Sequence, residues 1–82
     1  MSTVIVNGVQ ERVYASNKQV FVIVRHPRIN VNQIASVIRS EPRGNTALYQ
    51  VQAGHVSDWF YHEELCEHPI PVGDAKNWHG TT

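Results

Sequence analysis

The first eighteen residues already limit what this chain can become. Thr3–Val6 and Val9–Ala15 are runs led by β-branched residues on either side of Asn7-Gly8, and a second turn, Ser16-Asn17-Lys18, follows at once. Asn-Gly between such runs predicts a two-residue β-hairpin, because both residues tolerate the positive φ that the turn demands. A chain that turns this often has no room for long helices, and the remainder keeps the same short rhythm.

Gln19–Arg25 sets Val20, Val22 and Val24 against Phe21, Ile23 and Arg25. Apolar on both faces, it reads as a central strand. The loop His26–Asn32 contains Pro27, which cannot donate to a ladder. Gln33–Arg39 is ambiguous. Ile34, Val37 and Ile38 have helical spacing with Asn32 as a candidate N-cap, but a seven-residue helix is short and Val and Ile favour strands. The expectation is a strand. Pro42 and Gly44 make Ser40–Asn45 a predicted loop. Thr46–Gln52 alternates Ala47, Tyr49 and Val51 against Leu48, Gln50 and Gln52, the pattern of a half-buried strand.

Ala53-Gly54-His55 then turns the chain into Val56–Tyr61, which holds three consecutive aromatics, Trp59-Phe60-Tyr61. Successive strand residues face opposite ways, so Trp59 and Tyr61 share one face and Phe60 takes the other. Glu63-Glu64-Leu65 fits one tight helical turn that returns Leu65 to the core. From Pro69 the periodicity stops. The predicted organisation is therefore one small β-barrel over residues 1–68 and an irregular C-terminal tail over 69–82, an all-β fold of five to six strands with an N-terminal hairpin.

Several function classes lose support at this level. No apolar run reaches the length of a membrane span, and the N-terminus lacks the charged and apolar regions of an export signal. A lone cysteine, Cys66, cannot form an internal disulfide, which suits a reducing cytoplasm. Net charge is zero but unevenly laid out. Arg12, Lys18, Arg25, Arg28, Arg39 and Arg43 face only Glu41 between them, whereas Gly44–Asp74 holds Asp58, Glu63, Glu64, Glu67 and Asp74 with no Lys or Arg. Either the halves neutralise each other in space, or the molecule presents a basic face.

Candidate sites follow from the same residues. Trp59 and Tyr61, with Tyr49 or Trp78 as further members, form a candidate aromatic patch able to anchor a partner, stack on bases or hold a cation. Arg25, Arg28, Arg39 and Arg43 are the candidate electrostatic face, for an acidic protein surface or for phosphates. His62, Cys66 and His68 carry good zinc-ligand chemistry at a spacing of no standard site, so no metal or other cofactor is expected and the histidines are read as surface residues. Cys66 beside His62 or His68 lacks the third orienting group and pocket that catalysis needs, so no catalytic residue is assigned.

The order from Gln19 to Glu67 — apolar strand, loop, Ile-Ala-Ser-Val-Ile strand, hairpin, Tyr-Gln-Val strand, aromatic strand and turn — resembles the SH3-like barrels of Tudor, KOW and plasmid-type dihydrofolate reductase proteins. It is also similar to small accessory proteins of phages and mobile elements that use this barrel. Two departures narrow what the resemblance implies. Val-Ser-Asp-Trp-Phe-Tyr stands where the reductases carry Val-Gln-Ile-Tyr, and Arg28–Gln33 lacks the glycine of KOW turns. The expectation is a non-enzymatic, cytoplasmic module that docks on a larger protein and can pair with itself as a homodimer. The alternatives are a nucleic-acid-binding module using the four arginines and an oligomeric barrel enzyme with a shared pore.

Overall fold

The computed structural model describes residues 3–6 and 9–80, and the chain is all-β. Strands β1 (Thr3–Val6) and β2 (Val9–Arg12) pair antiparallel as a two-stranded sheet of their own, with Val6 opposite Val9; the predicted turn residues Asn7 and Gly8 lie outside the described residues. Strands β3 (Gln19–Val22), β5 (Gln33–Arg43), β6 (Thr46–Ala53), β7 (Val56–Tyr61) and β8 (Leu65–Cys66) form a curled antiparallel sheet in the order β7-β6-β5-β3-β8, half of a barrel. Strand β4 (Val24–Arg25) follows a break at Ile23, whose N–H donates to the Glu64 carbonyl, and pairs in parallel with β9 (Lys76–Asn77).

Gln33–Arg39 is strand, and the physical reason is burial. A helix would have put Ile34, Val37 and Ile38 on one apolar face, whereas the strand buries Ala35 and Val37 and leaves Ile34 and Ile38 on the other side. Ser40–Asn45 departs from expectation. β5 continues to Arg43, and the loop shrinks to Gly44-Asn45, with Gly44 at φ +57° in the left-handed region that glycine enters freely. Pro42 is tolerated there because β3 pairs with β5 only as far as Ser36, so this stretch has a β6 neighbour and no β3 neighbour. A bulge at Ile38 shifts the register between Val37 and Arg39 and adds to the curl.

The core lies in the concave side of the sheet: Val20 and Val22 of β3, Ala35 and Val37 of β5, Ala47, Tyr49 and Val51 of β6, Phe60 of β7, Leu65 of β8 and Ile29 from the loop. Many of these side chains are small, so the core depends on close packing around Tyr49 and Phe60, which are fully buried. The β1–β2 hairpin lies against β6 and the 3-10 turn His62–Glu64. Among the described residues no helix is long and apolar enough to cross a membrane.

Residues 69–80 are mostly irregular, as their composition implies, yet they are fastened down. Asn32, at φ +66°, donates from Nδ2 to the Ile70 carbonyl (2.6 Å) and accepts the Ile70 N–H at Oδ1 (2.9 Å). Eight residues on, the Trp78 N–H reaches the Arg25 carbonyl. Buried Glu64, 6% exposed, takes three bonds through its carboxylate: the Tyr61 N–H, the His79 N–H and His79 Nδ1, each at 2.7 Å.

Candidate functional site

Alternation on β7 separates its three aromatics. Phe60 pairs across with Tyr49 and is fully buried, while Trp59 and Tyr61 alternate to the convex, outer side opposite Gln50 and Leu48 of β6, both half-buried, the Tyr61 ring set edge-on against His79 of the tail at 4.6 Å. Register carries that face across the sheet in rows. Tyr61, Leu48 and Glu41 make one row, and Trp59, Gln50 and Arg39 make the next. Further along β5 and β3, Ile34 stands opposite Phe21, which stands opposite Cys66. Ile34 is 54% exposed and Ile38 40%, and the bulge at Ile38 brings Arg39 onto this face as well. Aliphatic side chains so exposed, on the same face as two half-buried rings, form an apolar outer surface.

The charged groups of this face are placed around those rings. The Arg39 guanidinium lies 5.4 Å from the Trp59 ring centre, a cation–π contact made across the whole width of β6. Arg43 Nη2 stands 3.3 Å from Glu41 Oε2 on the same strand, and Glu63 accepts the Thr46 hydroxyl at 3.2 Å, beside the end of β7. The arginines therefore divide into two groups. Arg39 and Arg43 share the outer face of β5, whereas Arg25 ends β4 and Arg28 lies in the following loop, both exposed. The acidic and basic halves of the sequence also meet, in the exposed Lys18–Glu67 pair at 3.4 Å.

The inner side holds the polar groups that the sequence reading placed on the surface. Tyr49 is no member of an exposed patch. It is fully buried with Oη 2.9 Å from His62 Nδ1, and it accepts the Tyr14 N–H at 3.0 Å. His62 is buried as well, stacked on Tyr14 at 4.6 Å, because the first residue of the 3-10 turn points back to the hydroxyl that Tyr49 carries into the core. His26 is likewise buried between Phe60 and Trp78. Its Nδ1 accepts the Arg28 N–H and its Nε2 lies 2.9 Å from Asp58 Oδ2, which assigns the proton to Nε2. Only His55, His68 and His79 are exposed, and Cys66 lies on the opposite side of the sheet from His62. Trp78 packs against the core with its indole N–H donated to the Trp59 carbonyl at 2.8 Å, so it does not join Trp59 outside.

These inner contacts seal the exposed edge of β7. The Trp59 N–H is taken by Asp58 Oδ1 (2.8 Å), its carbonyl by Trp78, and the Tyr61 N–H by Glu64. A sheet edge with these groups occupied does not offer its ladder to an added strand.

The surface also carries shallow clefts, two of which border residues named above. One, of about 410 Å³, lies among Arg12, Tyr14, Lys18, Cys66, Glu67 and His68. The other, of about 350 Å³, lies among Ile23, Tyr61, Glu63, Glu64, Asp74 and His79. Among the described residues no three His, Cys, Asp or Glu side chains are grouped to hold a metal ion. The exposed isoleucines and the Glu64–His79 clamp were missed by the sequence reading. The strand reading of Gln33–Arg39 was itself the signal for the first, since it sets Ile34 opposite in sense to Ala35 and Val37. The clamp spans fifteen residues and has no local signature. The chain matches no known family model, and no curated protein or solved structure is significantly similar to it.

Proposed function

We propose that this chain is a small, non-enzymatic, SH3-like binding module of the cytoplasm, of the accessory type that phages and mobile elements carry, and that it docks on a protein surface through the outer face of its sheet. One observation carries the reading: Trp59, Tyr61, Leu48 and Ile38 share a face rimmed by Arg39, Arg43, Glu41 and Glu63, while the edge beside it is closed. An apolar, aromatic centre inside a charged rim is the anatomy of a protein interface. Arg39 and Arg43 supply its electrostatics, and Arg25 and Arg28 belong to a separate exposed segment.

The Arg39–Trp59 contact also supports a second reading, a nucleic-acid platform in which bases stack on the rings beside arginines. The exposed isoleucines favour the first, because aliphatic side chains gain little from bases or phosphates. Affinity capture with the wild type and Trp59→Ala, alongside mobility-shift titration with single-stranded DNA and RNA at several salt concentrations, tests both. The protein-docking reading expects a captured partner that Trp59→Ala loses, with no shift at low salt. Equal recovery of every partner by a folded Trp59→Ala variant, or a salt-dependent shift, overturns it.

A further inference from the structure

Building on the reading of the outer face as a protein-docking surface, we propose that its occupant is a second copy of this chain, held about a two-fold axis that runs parallel to β6 above Leu48 and Gln50. Register and charge lead to this arrangement. Such an axis lays β5 of one copy over β7 of the other, row for row. Arg39 and Ile38 then meet the partner's Trp59 row, Glu41 meets the row of Tyr61, and Arg43, opposite Thr46, meets the end of β7 where Thr46 holds Glu63. Each contact occurs twice, as an isologous interface requires. Leu48 and Gln50 meet themselves on the axis, and neither carries a charge to repel its own copy.

The other geometries are less favourable. An in-plane axis perpendicular to the strands through the Trp59 row would set Arg39 against Arg39, a like-charge contact that opposes association. Extension of the sheet through β7 is blocked by the bonds that Asp58, Trp78 and Glu64 make to its edge. The chain's zero net charge sets up no overall repulsion between copies.

Sedimentation of the full chain up to about 100 μM, well above the micromolar dissociation constants of modest dimers, tests this. The wild type is expected to be dimeric. Arg43→Glu is expected to weaken the dimer by about tenfold or more, since two copies of a charge pair are inverted, and Glu63→Arg in the same chain to restore it to within about threefold. Val72→Ser, at an exposed position of the C-terminal tail away from the outer face, is expected to leave it unchanged. Far-UV circular dichroism confirms that each variant folds. A monomeric wild type overturns the self-pairing but not the docking reading, which then rests on the Trp59→Ala capture comparison. A dimer that Arg43→Glu does not weaken, or one weakened by it that Glu63→Arg in the same chain fails to restore, overturns the axis.

Discussion

Trp59 and Phe60 are consecutive residues on one strand, yet they stand in two chemically opposite regions. On Phe60's side, polar groups taken from water are paired: His26 with Asp58 and the Arg28 amide, Tyr49 with His62 and the Tyr14 amide, Glu64 with Tyr61 and His79. On Trp59's side, apolar groups are left in water and the ionic contacts are solvent-exposed, as in the Arg43–Glu41 pair. A buried polar group without a partner is costly, so the inner pairs are conditions of folding. Exposed aliphatics and weak surface pairs add little to stability. Their arrangement is thus little constrained by folding, which supports the docking role proposed for the outer face.

The largest effect expected to test that contrast is a pair of neighbouring truncations. Phe60→Ala should cost about 3–5 kcal/mol in urea unfolding, from lost burial and the cavity left behind, while Trp59→Ala should cost about 1 kcal/mol or less. Equal losses would mean that the outer ring is as structural as the inner one, and the contrast would fail. Glu64→Ala comes next, at about 2–3 kcal/mol, because it strands two backbone N–H groups and releases His79. Hydrogen exchange should then quicken at the Tyr61 and His79 amides; unchanged protection there would show that the tail is held by other contacts. The smallest effect belongs to Arg39→Ala. It should change stability by no more than about 0.5 kcal/mol yet weaken binding at the outer face, so a variant that binds as well as wild type removes Arg39 from the interface.

How much of this was legible varies by element. Ala47, Tyr49 and Val51 alternate with Leu48, Gln50 and Gln52, and that period of two placed β6 as a half-buried strand, as it separated Phe60 from Trp59 and Tyr61 on β7; it did not say that Tyr49 belongs to the buried side. Pro42 misled, because proline argues against a strand only where the missing N–H is needed, and local sequence does not say that β3 stops short of it. The histidines misled for a related reason. His26 and His62 look like surface residues until Asp58 and Tyr49, thirty-two and thirteen residues away, are brought beside them.

Period and turn chemistry are local properties, dictated by alternation of side chains along a strand and by residues that accept positive φ. They determined the all-β class, most of the strands, and which ring of β7 enters the core. Pairing across the sheet is not local. Only the tertiary structure decided that a bulge at Ile38 turns Arg39 to the outer face, where it covers Trp59, that Glu64 clamps the tail, and that the β7 edge is closed. Those features arise where segments distant in sequence satisfy each other's hydrogen bonds and charges, and no window of sequence contains both partners.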